Sequence, residues 1–147
     1  MKTLALALLV PAALASSAET PDPVAAEVEK GVAAYNAQDI KYYEASLGPD
    51  AVYIAEDGAV ITGKDRVLRL FSHIFAATPK RQVVVSEVAT GSKGDVAWAR
   101  FKWTLTLGAE TRKGVATTLF GRSGGGWQVL QIQNTPDGHA MGAVHPR

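Results

Sequence analysis

The chain has 147 residues, 47% of them hydrophobic and 20% charged, with no cysteine and a formal net charge of +1. Those proportions fit one compact domain with one core and exclude a disordered tail or a disulfide-stapled scaffold. Setting Lys2 aside leaves 14 of the 15 basic side chains against 14 acidic ones, with no clustered Lys/Arg run, so nucleic acid is excluded as an expected partner.

The first residues, MKTLALALLVPAALASSAE, carry one early positive charge, an apolar run from Leu4 to Leu14 and small residues at Ala13, Ala15, Ser16 and Ala18. They read as a signal peptide over 1–18, cleaved after Ala15 or Ala18, and predict a periplasmic or secreted protein. The apolar run is shorter than the roughly 20 residues a membrane span needs, so no membrane is expected as a partner of the mature form.

The domain is expected over 22–136, followed by a flexible tail over 137–147. Asp22 is a candidate cap and Pro23 suits a first helical turn, after which Val24, Val28, Val32 and Tyr35 recur at helical spacing. A second short helix runs from Asp39 and stops at Gly48 and Pro49. DAVYIAEDGAVITG then alternates at period two around Asp57-Gly58, a hairpin signal. Val67, Leu70, Phe71, Ile74 and Phe75 mark a third helix over 64–77, closed before Pro79.

Beyond Pro79 the pattern becomes RQVVVSEVAT, DVAWARFKWTLTL, TRKGVATTLFGR and WQVLQIQNT, four strands of an antiparallel meander separated by GSKG, GAE and SGGG. Helices first and strands afterwards predict an α+β architecture, a curved antiparallel sheet wrapped around the N-terminal helices. On the second of these strands Phe101, Trp103, Leu105 and Leu107 are expected to face the helices. Arg100, Lys102, Thr104 and Thr106 face away, and Trp98 shares their register, which marks it as a dimer contact.

GVAAYNAQDIKYYEASLGPDAVYIAEDGAVITGKDRVLRLF, the meander, and GGGWQVLQIQNTP together resemble the fold shared by nuclear transport factor two, ketosteroid isomerase and the SnoaL-like polyketide cyclases. Within it the chain looks most like the SgcJ/EcaC-like branch. The resemblance runs from Val24 to Pro136 and rests on Asn36 to Asp39, Asp50 to Val52 and Trp127 to Thr135. It implies a cone, with helices and concave sheet enclosing a pocket open at one end, and a homodimer through the convex face.

Ketosteroid isomerase works with an Asp base, a Tyr and a protonated Asp. Those positions fall on Ala55, Gly31 and Thr118, so that apparatus is absent unless Glu56 or Asp57 takes over from Ala55. The remaining acid or base candidates are Tyr35, Tyr53, Glu56 and Asp57, with Glu56 and Asp57 equally suited to a plain turn and Tyr35 to the core. His73, His139 and His145 lack metal-ligand spacing, and GRSGGGW links two strands rather than a strand and a helix. No metal and no cofactor are expected.

The alternation of the last strand places Trp127, Val129, Gln131 and Gln133 on one face. The resemblance makes that face concave, so two amides would project into the pocket beside Tyr35, Thr118 and Phe120, with Phe101 and Trp103 as apolar wall. The opposite reading puts both glutamines outdoors while Leu130 and Ile132 fill the core. With the amides inside, the expected partner is a neutral, mostly apolar, oxygenated small molecule. An exported binding protein, a cofactor-independent isomerase, cyclase, dehydratase or hydrolase, and an assembly module are the three functions left open.

Overall fold

The computed structural model describes residues 22–138; the expected leader, and the tail from His139 onward, lie outside the described residues. Helix α1, Pro23–Ala37, starts as its sequence demands. Asp22 Oδ1 accepts from the backbone N–H of Val24 at 2.8 Å and of Ala25 at 3.4 Å, and Pro23 fills a first-turn position whose missing N–H costs nothing. Gln38, left-handed at φ 58°, turns the chain out. Asp39 then caps α2, Ile40–Ser46, accepting from Lys41 N–H at 3.0 Å and Tyr42 N–H at 3.3 Å.

Strands β1 (Leu47–Ile54) and β2 (Val60–Thr62) form the expected hairpin. Gly58 at its tip has φ 86°, the conformation for which glycine is needed, and Asp57 Oδ1 accepts from Ala59 N–H. Helix α3, Lys64–Ala76, buries Val67, Phe71 and Phe75, one residue per turn on one face. Strands β3 (Arg81–Lys93), β4 (Val96–Leu107), β5 (Glu110–Ser123) and β6 (Gly126–Pro136) follow.

The six strands form one sheet in the order β2-β1-β6-β5-β4-β3. All neighbours are antiparallel except β1 and β6, which run parallel, so the sheet is mixed where the sequence pattern suggested antiparallel throughout. The three helices cover its concave face, and Ala97, Ala99 and Phe120 of the sheet meet Val24, Val28, Val67 and Phe71 in the main core. Trp103, Leu105 and Ala116 form a smaller cluster further along β4 and β5. Among the described residues no helix is long and apolar enough to cross a membrane.

Two irregularities decide which side chains face the cone. In β3, Glu87 takes a left-handed φ of 52° where the pairing to β4 slips between Ser86 and Ala89. In β6, Phe120 opposes Val129 but Leu119 opposes Gln131, leaving Leu130 as an extra residue. A single inserted residue reverses the facing of everything after it.

The edge of β3 is tied down from α1. The Asn36 side chain accepts from Val83 N–H at 2.7 Å and donates to Val83 C=O at 2.8 Å, meeting both groups that an edge strand leaves open. These bonds fix α1 relative to β3.

Candidate functional site

Between the helices and the concave sheet lies a cavity of about 150 Å³. Its wall is largely apolar, with Val28, Phe71, Phe101, Leu105, Ala116 and Phe120 among the lining residues. An apolar space of about that volume holds one benzene ring, so the cavity suits a small ligand. Trp103 is able to lie close to β5 because Gly114 stands opposite it; a Cβ there would overlap both the indole and Thr135 C=O.

Glu27, Tyr42 and Thr118 give the wall isolated polar points, and a larger polar set is assembled from several elements. Tyr35 comes from α1, Tyr53 from β1, Glu56 from the hairpin, Arg81 from the start of β3 and Asn134 from β6, and all five line the cavity. Glu56 is held by Arg112, whose Nη1 lies 3.1 Å from Glu56 Oε2 while its Nε donates to Glu110 Oε1 at 2.7 Å. Asn134 donates to Ile54 C=O at 3.3 Å. Arg81 Nε and Trp103 Nε1 are buried without a hydrogen-bond partner.

The tyrosines are held protonated. Burial pushes the Tyr53 hydroxyl well above the ordinary phenol range, with Tyr35 and Glu56 adding to the effect. Burial raises Tyr35 as well, opposed by the Arg81 guanidinium. Tyr43 is raised by burial too; its hydroxyl donates to Gly31 C=O at 2.9 Å and its ring meets Phe71 edge-on at 4.5 Å. Burial lifts Tyr42 to about 12. At neutral pH Tyr35 and Tyr53 therefore offer O–H groups to the cavity and not phenolates.

The structure sorts the residues expected from sequence. Tyr35, Phe101, Trp103, Thr118, Phe120 and Val129 line the cavity, as do Tyr53 and Glu56 among the acid or base candidates. Asp57 does not: its carboxylate is turned back on Ala59 N–H at the exposed hairpin tip. Trp127 is half buried against the main core, with the Arg122 guanidinium 4.0 Å above its ring, and stops short of the cavity.

Gln131 and Gln133 are the larger correction. Because Leu130 is inserted, they oppose Leu119 and Thr117 on the convex side, and Ile132 and Asn134 take the inward positions opposite Thr118 and Ala116. The switch from Val129 to glutamine is the trace of a bulge and not of a polar lining. Arg81 and Asn134 were missed by sequence reasoning. Arg81 alternates with the inward Val83, a signal that could have found it; Asn134 becomes visible only once the bulge is known.

Of the positions matched to the isomerase apparatus, Gly31 and Thr118 line the cavity and Ala55 closes the end of β1. Among the described residues no three His, Cys, Asp or Glu side chains gather as metal ligands do.

The model of the SnoaL-like domain family matches residues 24–135. A candidate dehydratase of the NTF2-like family from Streptomyces avermitilis superposes with a TM-score of 0.70 at 19% identity, covering 78% of this chain and 93% of its own. An NTF2-like protein of unknown function from Pseudomonas putida KT2440 gives a TM-score of 0.70 at 20% identity, over 76% and 82%. A candidate calcium/calmodulin-dependent protein kinase type II association domain from Thiobacillus denitrificans gives 0.68 at 25% identity, over 79% and 95%. No curated protein matches the chain.

Proposed function

The chain belongs to the SnoaL-like domain family, and from that premise we propose that it is an exported protein whose cone binds a small, largely apolar molecule. The observation that carries this reading is the cavity of about 150 Å³ with largely apolar walls and a set of polar groups, Tyr35, Tyr53, Glu56, Arg81 and Asn134, on its lining. An assembly module alone would have no use for unfilled space under its sheet. The expectation of a neutral ligand rested on Gln131 and Gln133 facing inward, and it falls with them. Export is argued from the leader sequence, and placement in the SgcJ/EcaC-like branch from the closing Gln133-Asn134-Thr135.

A homodimer through the convex face belongs to the same proposal. Trp98 is 42% exposed, Val84 69% and Leu130 41%, more apolar surface than an isolated sheet face needs. The test is native mass spectrometry of the protein recovered from its own cell envelope. A retained small molecule at one per subunit, in a dimer, is the expected result; subunits without bound mass, or a bound mass that Ala116→Leu leaves in place, would refute the binding reading, and monomers would refute the dimer.

A second reading has its own observation. Tyr35, Tyr53 and Glu56 line one cavity, and the first two are kept protonated. Two phenol donors facing a carboxylate could steady a carbonyl oxygen while Glu56 removes a proton, chemistry of the cofactor-independent isomerase or dehydratase kind. The name of the Streptomyces avermitilis relative points the same way. On this reading Glu56→Gln removes turnover and spares binding.

A further inference from the structure

Arg81 and Trp103 narrow the chemistry of the ligand. Both line the cavity, and Arg81 Nε and Trp103 Nε1 are both closed off from solvent and without a partner. Trp103 is only 6% exposed, so no bulk water reaches its N–H. Neither an indole nor a guanidinium can accept, so what completes them is an acceptor oxygen. A buried donor left unpaired carries a desolvation cost that such an oxygen removes.

Charge points further. Arg81 lines the cavity, and Arg112 lies outside the lining, against Glu56. Arg112 is shared between Glu56 and Glu110, whereas Arg81 makes no ion pair among the described residues. Of the three charged lining residues Glu27 is paired with Lys30 and Glu56 with Arg112, which leaves Arg81 as the one without an ion-pair partner among the described residues, and its planar fork suits a carboxylate in particular. The cavity's size limits the rest of the molecule to about one ring.

We propose that the ligand of this cone is a monocyclic carboxylic acid, its carboxylate received by Arg81, an oxygen of the same molecule taken by the Trp103 N–H, and its ring set against Phe101, Leu105 and Ala116. The inference rests on the reading of the cone as a binding site. The ring occupies the space under the small cluster of β4 and β5. Asn36 is a positioning residue here, since it holds Val83, two residues along β3 from Arg81, against the end of α1 that carries Tyr35.

The test is calorimetric titration of the full chain with sodium benzoate and with benzyl alcohol, which share the ring and differ in the anion. Benzoate is expected to bind on the order of tenfold tighter or more, the effect of one hydrogen bond to a charged group. Arg81→Met should erase that preference with an unchanged melting temperature. Arg81→Lys, which keeps the charge and loses the fork, should restore part of it, and Ala116→Leu should weaken both probes. Equal binding of the two probes, or a preference surviving Arg81→Met, overturns the acid inference and leaves the binding reading standing. Binding of neither probe overturns both.

Discussion

The first half of β4 and its second half lie under the same helices and are filled differently. Ala97 and Ala99 are wholly covered and take no part in the cavity lining; the rings of the main cluster, Tyr43 on Phe71 at 4.5 Å and Tyr53 on Phe71 at 5.4 Å, meet edge to face and form the border between the two regions. Further along the strand, about 13 Å on at 3.3 Å per residue, Trp103 and Leu105 share their space with a cavity, an unpaired indole N–H and an unpaired guanidinium nitrogen. Tyr35 and Phe101 touch both clusters. A protein that needed only a core would have closed the second region as it closed the first. Stability is concentrated where β4 is closed over at Ala97 and Ala99, chemistry where it is left open at Trp103 and Leu105, and Tyr53, Phe71 and Phe120 serve both.

Disturbing the filled region should have the largest effect. Leu47 is 1% exposed and lies away from the cavity, so Leu47→Ala is expected to cost about 2–5 kcal/mol in urea unfolding. A ligand that stabilises the wild type should stabilise this variant by the same increment, because the open end is untouched. A changed increment would mean that the two clusters are one.

Much of this architecture was legible in the chain. The Asp22-Pro23 start, the Asp57-Gly58 turn and the four-residue spacing of Val67, Phe71 and Phe75 are local signals, and each acts locally in the fold. The concave position of Trp103 was legible too, since alternation along β4 is unbroken. What failed was β6. A bulge is decided by two strands together, through the pairing of Phe120 with Val129 and of Leu119 with Gln131. One strand read alone shows only a hydrophobic pattern that slips by a residue. Arg81 was hidden for a different reason: a charged residue at a strand's start reads as solvent-facing until the opposite wall is known.

Asn36→Ala acts on the open region. It leaves Val83 N–H and C=O without the amide that now meets them, and about 1–3 kcal/mol of stability should be lost. Binding should weaken as well, since Tyr35 and Arg81 lose their common brace; a variant that binds normally would remove Asn36 from the site's support.

Asp22→Ala, at the helix start, should cost about 1 kcal/mol. The Thr90 hydroxyl, which donates to Asp22, and the Val24 N–H hold this carboxyl below its usual value of 3.8. The cap's contribution is therefore complete above the unfolded value and fades as pH falls through the lower folded one. The wild type should lose stability across that acid window, and the Asp22→Ala protein should lose less.

At the alkaline side, all four tyrosines are raised. Their protonated forms favour the fold fully below the unfolded value of 10.0, and that contribution is lost as pH rises through the folded values. Phenolate absorbance should thus appear late, together with unfolding. An early tyrosinate signal in a folded protein would identify a phenol exposed at the open end. The smallest effect is expected at Gln133, exposed on the convex face, where Gln133→Ala should change stability by less than about 0.5 kcal/mol and leave binding intact.

The chain's three tryptophans offer the most direct test of the cone as a binding site, because each reports a different surface. In a nitrogen-15 spectrum the indole N–H signals of Trp98, Trp103 and Trp127 are followed while sodium benzoate or benzyl alcohol is added. The Trp103 signal is expected to shift with either probe while those of Trp98 on the convex face and Trp127 beneath Arg122 stay in place. A Trp103 signal that does not move as another one does, or no movement at all, would contradict it.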